Sequence, residues 1–368
     1  MFWLINISIL FLSCVFFAGI VIPQILLIAF RKQLFDEPDE RKIHKCVVPR
    51  LGGIAFKPVV FFSIVLLVGI NLSLGNTEIL ANIHTEVITL AYGFCAIMVL
   101  YLVGIADDLI GVKYRAKFIV QILCAIMLIA GGLHFQGLNG LFGVENMPIW
   151  ISYPFTVLVI IFVINAINLI DGIDGLASGL CSVALLFYGM AFFSLDEYLY
   201  SMLAFATLGV LVPFYYYNVF GNPEKGKKIF MGDTGSLTVG LMICFLSLKL
   251  LLSAHTTPDY PNALIIAFAP LIIPCFDVIR VYFHRIRNHR NPFLPDKNHI
   301  HHKLLAIGMK QRAAMVTIVS ISVVFTACNI FLSLYINVNL LVLADALIWI
   351  FANIWLSKKI EKYQAEKN

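Results

Sequence analysis

Charge is scarce in this chain and unevenly placed. Only 13% of its 368 residues are Asp, Glu, Lys or Arg, against 60% hydrophobic, where a soluble domain carries about a quarter charged residues. That excludes a soluble globular protein. Strands of alternating polar and apolar residues are missing as well, which excludes a transmembrane β-barrel. The eight cysteines contain no C-x-x-C pair, and all but Cys46 lie in apolar runs. Neither a disulfide framework nor a zinc site is expected from them. No basic segment precedes the first apolar run; Arg31 and Lys32 follow it, the wrong polarity for a cleaved signal peptide. Internal repeats and low-complexity linkers are absent too, so 1–368 reads as a single integral domain.

What is present is a succession of apolar runs of roughly 20 residues, the length of a bilayer-spanning helix. Eleven candidate spans fall at about 3–30, 52–73, 86–106, 117–134, 150–169, 177–194, 197–217, 234–254, 262–282, 313–335 and 337–357. The expected fold class is all-α, a polytopic membrane protein of about eleven transmembrane helices. Basic residues fall in alternate loops, at 31–57, 113–117, 225–228, 280–312 and 358–367; the loops near 74–85, 135–149, 195–198, 255–261 and 336 have none. Of 26 Lys and Arg residues only Lys249 breaks the pattern. The positive-inside rule then puts the N-terminus outside and the C-terminus in the cytoplasm. An odd number of spans, such as eleven, satisfies both. The net charge of +5 suits loops lying against anionic lipid and gives no reason to invoke nucleic acid.

The acids sort as the bases do. "GIADDLIG" ends the third span with Asp107 and Asp108, and "INAINLIDGIDGLASGL" ends the fifth with Asn165, Asn168, Asp171 and Asp174. "KKIFMGDTGSL" sets Asp233 before the eighth span, "PCFDVIRVYFHRIR" sets Asp277 near the inner end of the ninth, and "NPFLPDKNHIHHKL" carries Asp296, His299, His301 and His302. A carboxylate in hydrocarbon is costly, so the helix is expected to open at Gly172 and Gly175 and to expose its acids to a wet cleft on the cytoplasmic face. Several carboxylates at one surface repel unless a cation joins them. Hard oxygen ligands on short side chains favour Mg²⁺, with Mn²⁺ second, bound jointly with substrate phosphates. Lys113, Arg115 and Lys117 follow the first acid pair and Lys225, Lys227 and Lys228 precede "FMGDTG"; acids for a metal among bases for phosphate point to phosphoryl transfer. Taken singly, the motifs have plain readings: a solvated helix end for Asp107 and Asp108, an N-cap for Asp233 or Thr234, a loop accident for "HIHH". Their gathering on one face carries the functional reading, and argues against a transporter, whose charges sit near the midplane within inverted repeats. A third alternative is an inactive scaffold.

At "DEPDERKIHKCVVPRLGG" (36–53), "DDLIG" (107–111), "NAINLIDGIDGLASG" (165–179), "FMGDTGSL" (230–237) and "PDKNHIHHKL" (295–304) the chain resembles the polyprenyl-phosphate N-acetylhexosamine-1-phosphate transferases, in the family's own motif order. The first and last motifs look closer to its GlcNAc-type branch than to its muramoyl-pentapeptide branch. The resemblance implies transfer of a sugar 1-phosphate from a UDP-N-acetylhexosamine to undecaprenyl phosphate in a bacterial inner membrane, with UMP released. It implies Asp233 as metal ligand, completed or seconded by Asp108 and Asp171, and Asp107 as the group that orients or deprotonates the lipid phosphate. Asn168 and Asp174 would hold the nucleotide, and Phe230 would stack on uracil. Lys117, Arg285, His299, His301 and His302 would neutralise phosphate oxygens, the first two histidines beside the reacting atoms. His44 and Arg50 would touch the donor sugar. Family precedent points to a homodimer.

Overall fold

The computed structural model describes residues 1–34, 48–255, 262–289 and 298–366, and every regular element among them is helical. In chain order these are α1 (Phe2–Lys32), α2 (Phe56–Ser73), α3 (Glu78–Thr85), α4 (Val87–Ile110), α5 (Tyr114–Ala130), α6 (Ile149–Ile170), α7 (Leu176–Ser194), α8 (Tyr198–Tyr215), α9 (Gly232–His255), α10 (Ala263–Phe268), α11 (Ile272–Arg287), α12 (Ile300–Ala306), α13 (Gln311–Ser333) and α14 (Val338–Ala365). Helices are what so apolar a chain must form, because amides in hydrocarbon have no water to pair with. Ten helical stretches among the described residues are long and apolar enough to cross a membrane, so the chain is a multi-pass membrane protein.

The span expected at 117–134 is α5, whose 17 residues rise only about 26 Å at 1.5 Å each. The span expected at 262–282 is in three pieces, α10, a 3₁₀ turn at Ala269–Leu271, and α11. Pro270 and Pro274 supply the physical reason, since neither has an N–H to continue the helical ladder. Lys57, grouped by sequence with the first basic loop, is instead in the first turn of α2; it is buried, with its ammonium 4.6 Å from the Phe94 ring centroid.

α9 is the axis of the bundle. Beyond its first turn it is apolar almost all round, the pattern of a helix with no solvent side, and it packs on α4, α6, α7 and α10. At its middle the Ser247 hydroxyl bonds back to its own helix, to the Ile243 carbonyl at 2.7 Å. Lipid tails give little drive for helices to associate, so close packing must do it, and small residues permit close packing. Gly104 of α4 lies against the Thr234 backbone and Gly240 of α9 against that of Ile164. α1 and α8 run parallel: Trp3 stacks on Tyr198 at one end, and Phe30 meets Gly226 beyond the other. α13 and α14 lie at the periphery with most of their surface uncovered. The C-terminal ends of α4 and α6 and the N-terminal end of α9 meet at one end of the bundle, and there the acids collect.

Candidate active site

α9 begins at Gly232, and its first amides have no partner within the helix. Asp108, at the end of α4, supplies one. Its Oδ1 accepts from the Asp233 amide at 2.7 Å, and its Oδ2 accepts from the Thr234 amide at 2.9 Å and hydroxyl at 2.5 Å. A carboxylate there satisfies orphan donors and meets the positive end of the helix dipole. Gly232 makes this approach possible: its φ is 71°, and a Cβ would strike both the Arg50 carbonyl and the Asp108 carboxylate. The "PRLGG" segment is stitched to the same place. Phe230 N donates to the Pro49 carbonyl at 2.9 Å, Gly52 N to Phe230 O at 3.0 Å and Gly53 N to Met231 O at 2.9 Å. Gly53 rests so closely on the Gly235 backbone that a side chain has no room.

With its amide fixed, Asp233 turns its carboxylate toward α5 and α6. Lys117 Nζ stands between Asp233 Oδ2 at 2.7 Å and Asp107 Oδ2 at 2.8 Å. Asp107 Oδ1 accepts from the Val112 amide at 2.6 Å, which holds the turn after α4. Asn168 donates to Asp233 Oδ1 at 3.1 Å and to Ser236 Oγ at 2.8 Å. α6 ends at Ile170, and Asp171 follows as its cap with the side chain open to the cleft. No described residue donates a hydrogen bond to that carboxylate. Protein surrounds it on its other sides, and this enclosure, with the charges of Asp233 and Asp174, raises it from the usual 3.8 to about 7; the Arg50 charge acts in the opposite sense.

Asp174 pairs with the largely buried Lys228 at 2.5 Å, and Lys228 in turn lies 5.9 Å from the Phe230 ring centroid. Gly175, with φ 78°, opens α7 and gives its amide to Asn218 Oδ1 at 2.6 Å, while Asn218 Nδ2 donates to Ile229 O at 2.8 Å. One asparagine thus ties the "DGIDG" turn to the stretch before α9.

The histidine segment is built by the same device. Asp277, fully buried in α11, accepts from the Ile300 amide at 3.0 Å through Oδ1 and lies 2.8 Å from His299 Nδ1 through Oδ2. Arg280 completes the grip on Oδ1 at 2.9 Å. A buried acid caps α12, as Asp108 caps α9, and orients a functional candidate. His301 is buried with its ring against Gly172, where a Cβ would overlap its Nε2. Burial, and then His302 and His299 beside it, hold His301 far down at about 3, so the ring is neutral. This contact brings the histidines to the Asp171 turn.

Of the sequence candidates, Asp107, Asp108, Lys117, Asn168 and Asp233 form one bonded cluster, with Asp171 facing its acids across the cleft; Asp174, Phe230, Arg50, His299 and His301 flank them. Arg285 is buried in the last turn of α11, and His302 lines a separate pocket described below. His44 lies outside the described residues. Sequence reasoning gave no role to Ser236 or Asn218; it grouped Lys228 with the bases for phosphate and Asp277 with the acids of the cytoplasmic face, whereas Lys228 pairs with Asp174 and Asp277 holds the histidine segment. For Asp277 the signal was a single acid in an apolar run, and for Lys228 the base set ahead of Asp233. Among the described residues no three His, Cys, Asp or Glu side chains meet closely enough to hold a metal ion by themselves.

Comparison with known proteins bears on what this cluster does. Residues 90–251 match the sequence profile of glycosyl transferase family 4. A Bacillus subtilis (strain 168) protein named probable undecaprenyl-phosphate N-acetylglucosaminyl 1-phosphate transferase is 32% identical over 349 residues, covering 94% of this chain and 87% of its own. The undecaprenyl-phosphate alpha-N-acetylglucosaminyl 1-phosphate transferases of Salmonella typhi and Escherichia coli (strain K12) are 29% and 26% identical, each over 79% of this chain and 74% of theirs.

Proposed function

The chain belongs to glycosyl transferase family 4, and we propose that it transfers N-acetylhexosamine 1-phosphate, with GlcNAc as the preferred sugar, from a UDP-sugar to undecaprenyl phosphate. What carries the proposal is Lys117 held between Asp107 and Asp233, with Asp171 open to the cleft beside them. Phosphoryl transfer asks little covalent chemistry of a protein; it asks for positioning and for neutralisation of charge. A cluster of carboxylates and one lysine at the head of a membrane bundle suits a reaction between two phosphates, one of them on a lipid.

In the reaction an oxygen of the lipid phosphate forms a bond to the sugar-linked phosphorus of the donor. The bond from that phosphorus to the oxygen of the uridine-side phosphate breaks, and UMP leaves. Asp107 and Lys117 orient the lipid phosphate. A strong base is not needed, since the second pKa of a phosphate monoester is roughly 6. Asp108 acts through Asp233: both its oxygens are taken up by the start of α9, so it fixes the direction of the Asp233 carboxylate. His299, set by Asp277, and His301 approach the donor phosphates from the Asp171 turn. Phe230, Asn168 and Asp174 accept the nucleotide, and Arg50 reaches the sugar side.

Asp171 and Asp233 are hard oxygen donors, the charge of Asp233 close enough to raise the proton affinity of Asp171, and they are too few to hold a metal alone. That donor set fits Mg²⁺, which takes one or two carboxylates and completes its shell with water and substrate phosphate. Bound there, Mg²⁺ would offset the charge of the diphosphate. In the cell the acid end faces the cytoplasm of a bacterial inner membrane, where the product starts a cell-envelope glycan.

Purified protein in detergent, given undecaprenyl phosphate and a panel of UDP-sugars with and without Mg²⁺, tests this. UMP release that requires lipid and Mg²⁺ is expected, fastest with UDP-GlcNAc. No release with any sugar from folded protein overturns the proposal.

A further inference from the structure

A second pocket, of about 320 Å³, opens between α11, α12 and α14, and none of the aspartates lines it. Arg280 and His284 come to it from α11, His302 and Lys303 from α12, and Ser357 and Glu361 from α14. α12 separates the two sites. Two residues along a helix turn about 200°, so while His301 packs on Gly172, Lys303 points to the opposite side. There its ammonium lies 3.0 Å from Ser357 Oγ and 3.3 Å from Asn353 Oδ1. Burial, with the charge of Arg280, brings Lys303 down to about 8, which leaves it mostly charged at neutral pH. Lys303 and the imidazoles of His284 and His302 thus face Glu361 together with Arg280, whose charge is shared with Asp277 at 2.9 Å, and this set of N–H donors gives an anion its partners.

Below the pocket the walls turn apolar. Ile350, Ile354, Ser357 and Glu361 follow one another at spacings of four, three and four, a single stripe along α14. Ile350 and Ile354 are exposed, as are Ile279 and Phe283 beside Arg280 and His284 on α11. Phe276 of α11 meets Trp349 of α14 edge-on at 6.4 Å and joins the two helices beneath the opening. A cationic head above an uncovered apolar slot, at the end of a bundle that stands in a bilayer, has the form of a lipid site.

We propose that this pocket binds the phosphodiester headgroup of an anionic phospholipid from the surrounding bilayer, with an acyl chain lying along Ile350 and Ile354. The site is separate from the transferase cleft and does not depend on the reaction assigned to it.

The test is native mass spectrometry of the full chain, released from detergent with phosphatidylglycerol or with phosphatidylcholine of the same acyl chains. One bound phosphatidylglycerol is expected, held about tenfold more tightly than phosphatidylcholine, the worth of one charge-assisted hydrogen bond. Lys303→Gln should erase that preference. Ser357→Leu keeps every charge, fills the pocket and should lower retention by a similar factor; it also carries the test if Lys303→Gln, which cuts a tie to α14, fails to fold. Equal retention of the two lipids, or phosphatidylglycerol binding unchanged in a folded Ser357→Leu protein, overturns the proposal. Saturable binding of inorganic phosphate without lipid preference also overturns it, since that would mark a site for free phosphate.

Discussion

At each end of the bundle one lysine stands between two carboxylates, and the two clusters differ in what is left over. At the end away from the Asp107, Asp108 and Asp233 cluster, Lys249 of α9 lies 3.0 Å from Glu86 Oε1 and 3.5 Å from Glu197 Oε1. Tyr200 donates to Glu86 Oε2 at 2.6 Å and Ser253 to Glu197 Oε1 at 3.2 Å. The Lys249 ammonium also sits 4.7 Å from the Tyr200 ring centroid. Both carboxylates have donors, so the cluster clamps the ends of α4, α8 and α9. At the acid end Lys117 plays the same part between Asp107 and Asp233, Asp108 is taken up by α9 and Asp174 by Lys228. Asp171 has no described donor. The two ends therefore differ in their donors, which reach both Glu86 and Glu197 at one end and run out at Asp171 at the other.

The largest expected effect breaks the comparison at the acid end. Asp171→Asn and Asp233→Ala should each lower turnover by roughly 10³-fold or more, the scale seen when charge stabilisation of a transferring group is removed. Thermal melting of Asp171→Asn should stay at or above that of the wild type, because the lost charge satisfied no donor. Wild-type UMP release by either variant would refute the assignment.

Asp108→Ala separates positioning from contact. It removes the cap from α9 and should cost about 1–2 kcal/mol of stability together with roughly 10- to 100-fold in kcat, with a smaller change in KM. A stable variant with full turnover would show that the α9 start holds Asp233 without Asp108. At the other end, Lys249→Met should lower stability by about 1–3 kcal/mol, because it leaves two half-buried carboxylates short of a partner. Transferase activity of the folded fraction should stay within about twofold of wild type, since a tie that shares no partner with the acid cluster is expected to act independently. A collapse of kcat in well-folded Lys249→Met would join the two clusters and undo the contrast.

Why the sequence disclosed one cluster and hid the meaning of the other follows from the same geometry. Asp107, Asp108, Asn168, Asp171 and Asp233 were legible because acids recur at the ends of apolar runs, on one side of the basic-loop alternation. Lys249 broke that alternation as a lone base in an apolar run, but its partners Glu86 and Glu197 lie 163 and 52 residues away, beyond the reach of any local pattern. Asp108 and Asp233 looked alike as ligand candidates; only the structure shows both Asp108 oxygens taken up by the start of α9. Helices were readable from run length, whereas the break between α10 and α11 needed the effect of Pro270 and Pro274 to be weighed against a continuous apolar stretch. Lys57 was misplaced because a lysine near a helix start looks like a loop residue until its stem is seen to reach inward to Phe94.

The smallest expected effect concerns the proton on Asp171. Its carboxyl is raised from 3.8 to about 7 in the folded protein, so between those values the native state holds a proton that the unfolded chain has lost. Stability from this group is fully present below about 4, declines as pH rises and is gone above about 7. The side chain opens to water, which weakens the effect, so a shallow downward slope of melting temperature with pH is expected across that window. Asp171→Asn should flatten the slope, while Lys249→Met should leave it unchanged. Millimolar Mg²⁺ should flatten it as well, by favouring the ionised form at the upper end. That readout needs no substrate and no turnover. A wild-type slope that survives Asp171→Asn would mean that donors do not run out at this carboxylate, and the contrast between the two ends would then rest on Asp233 alone.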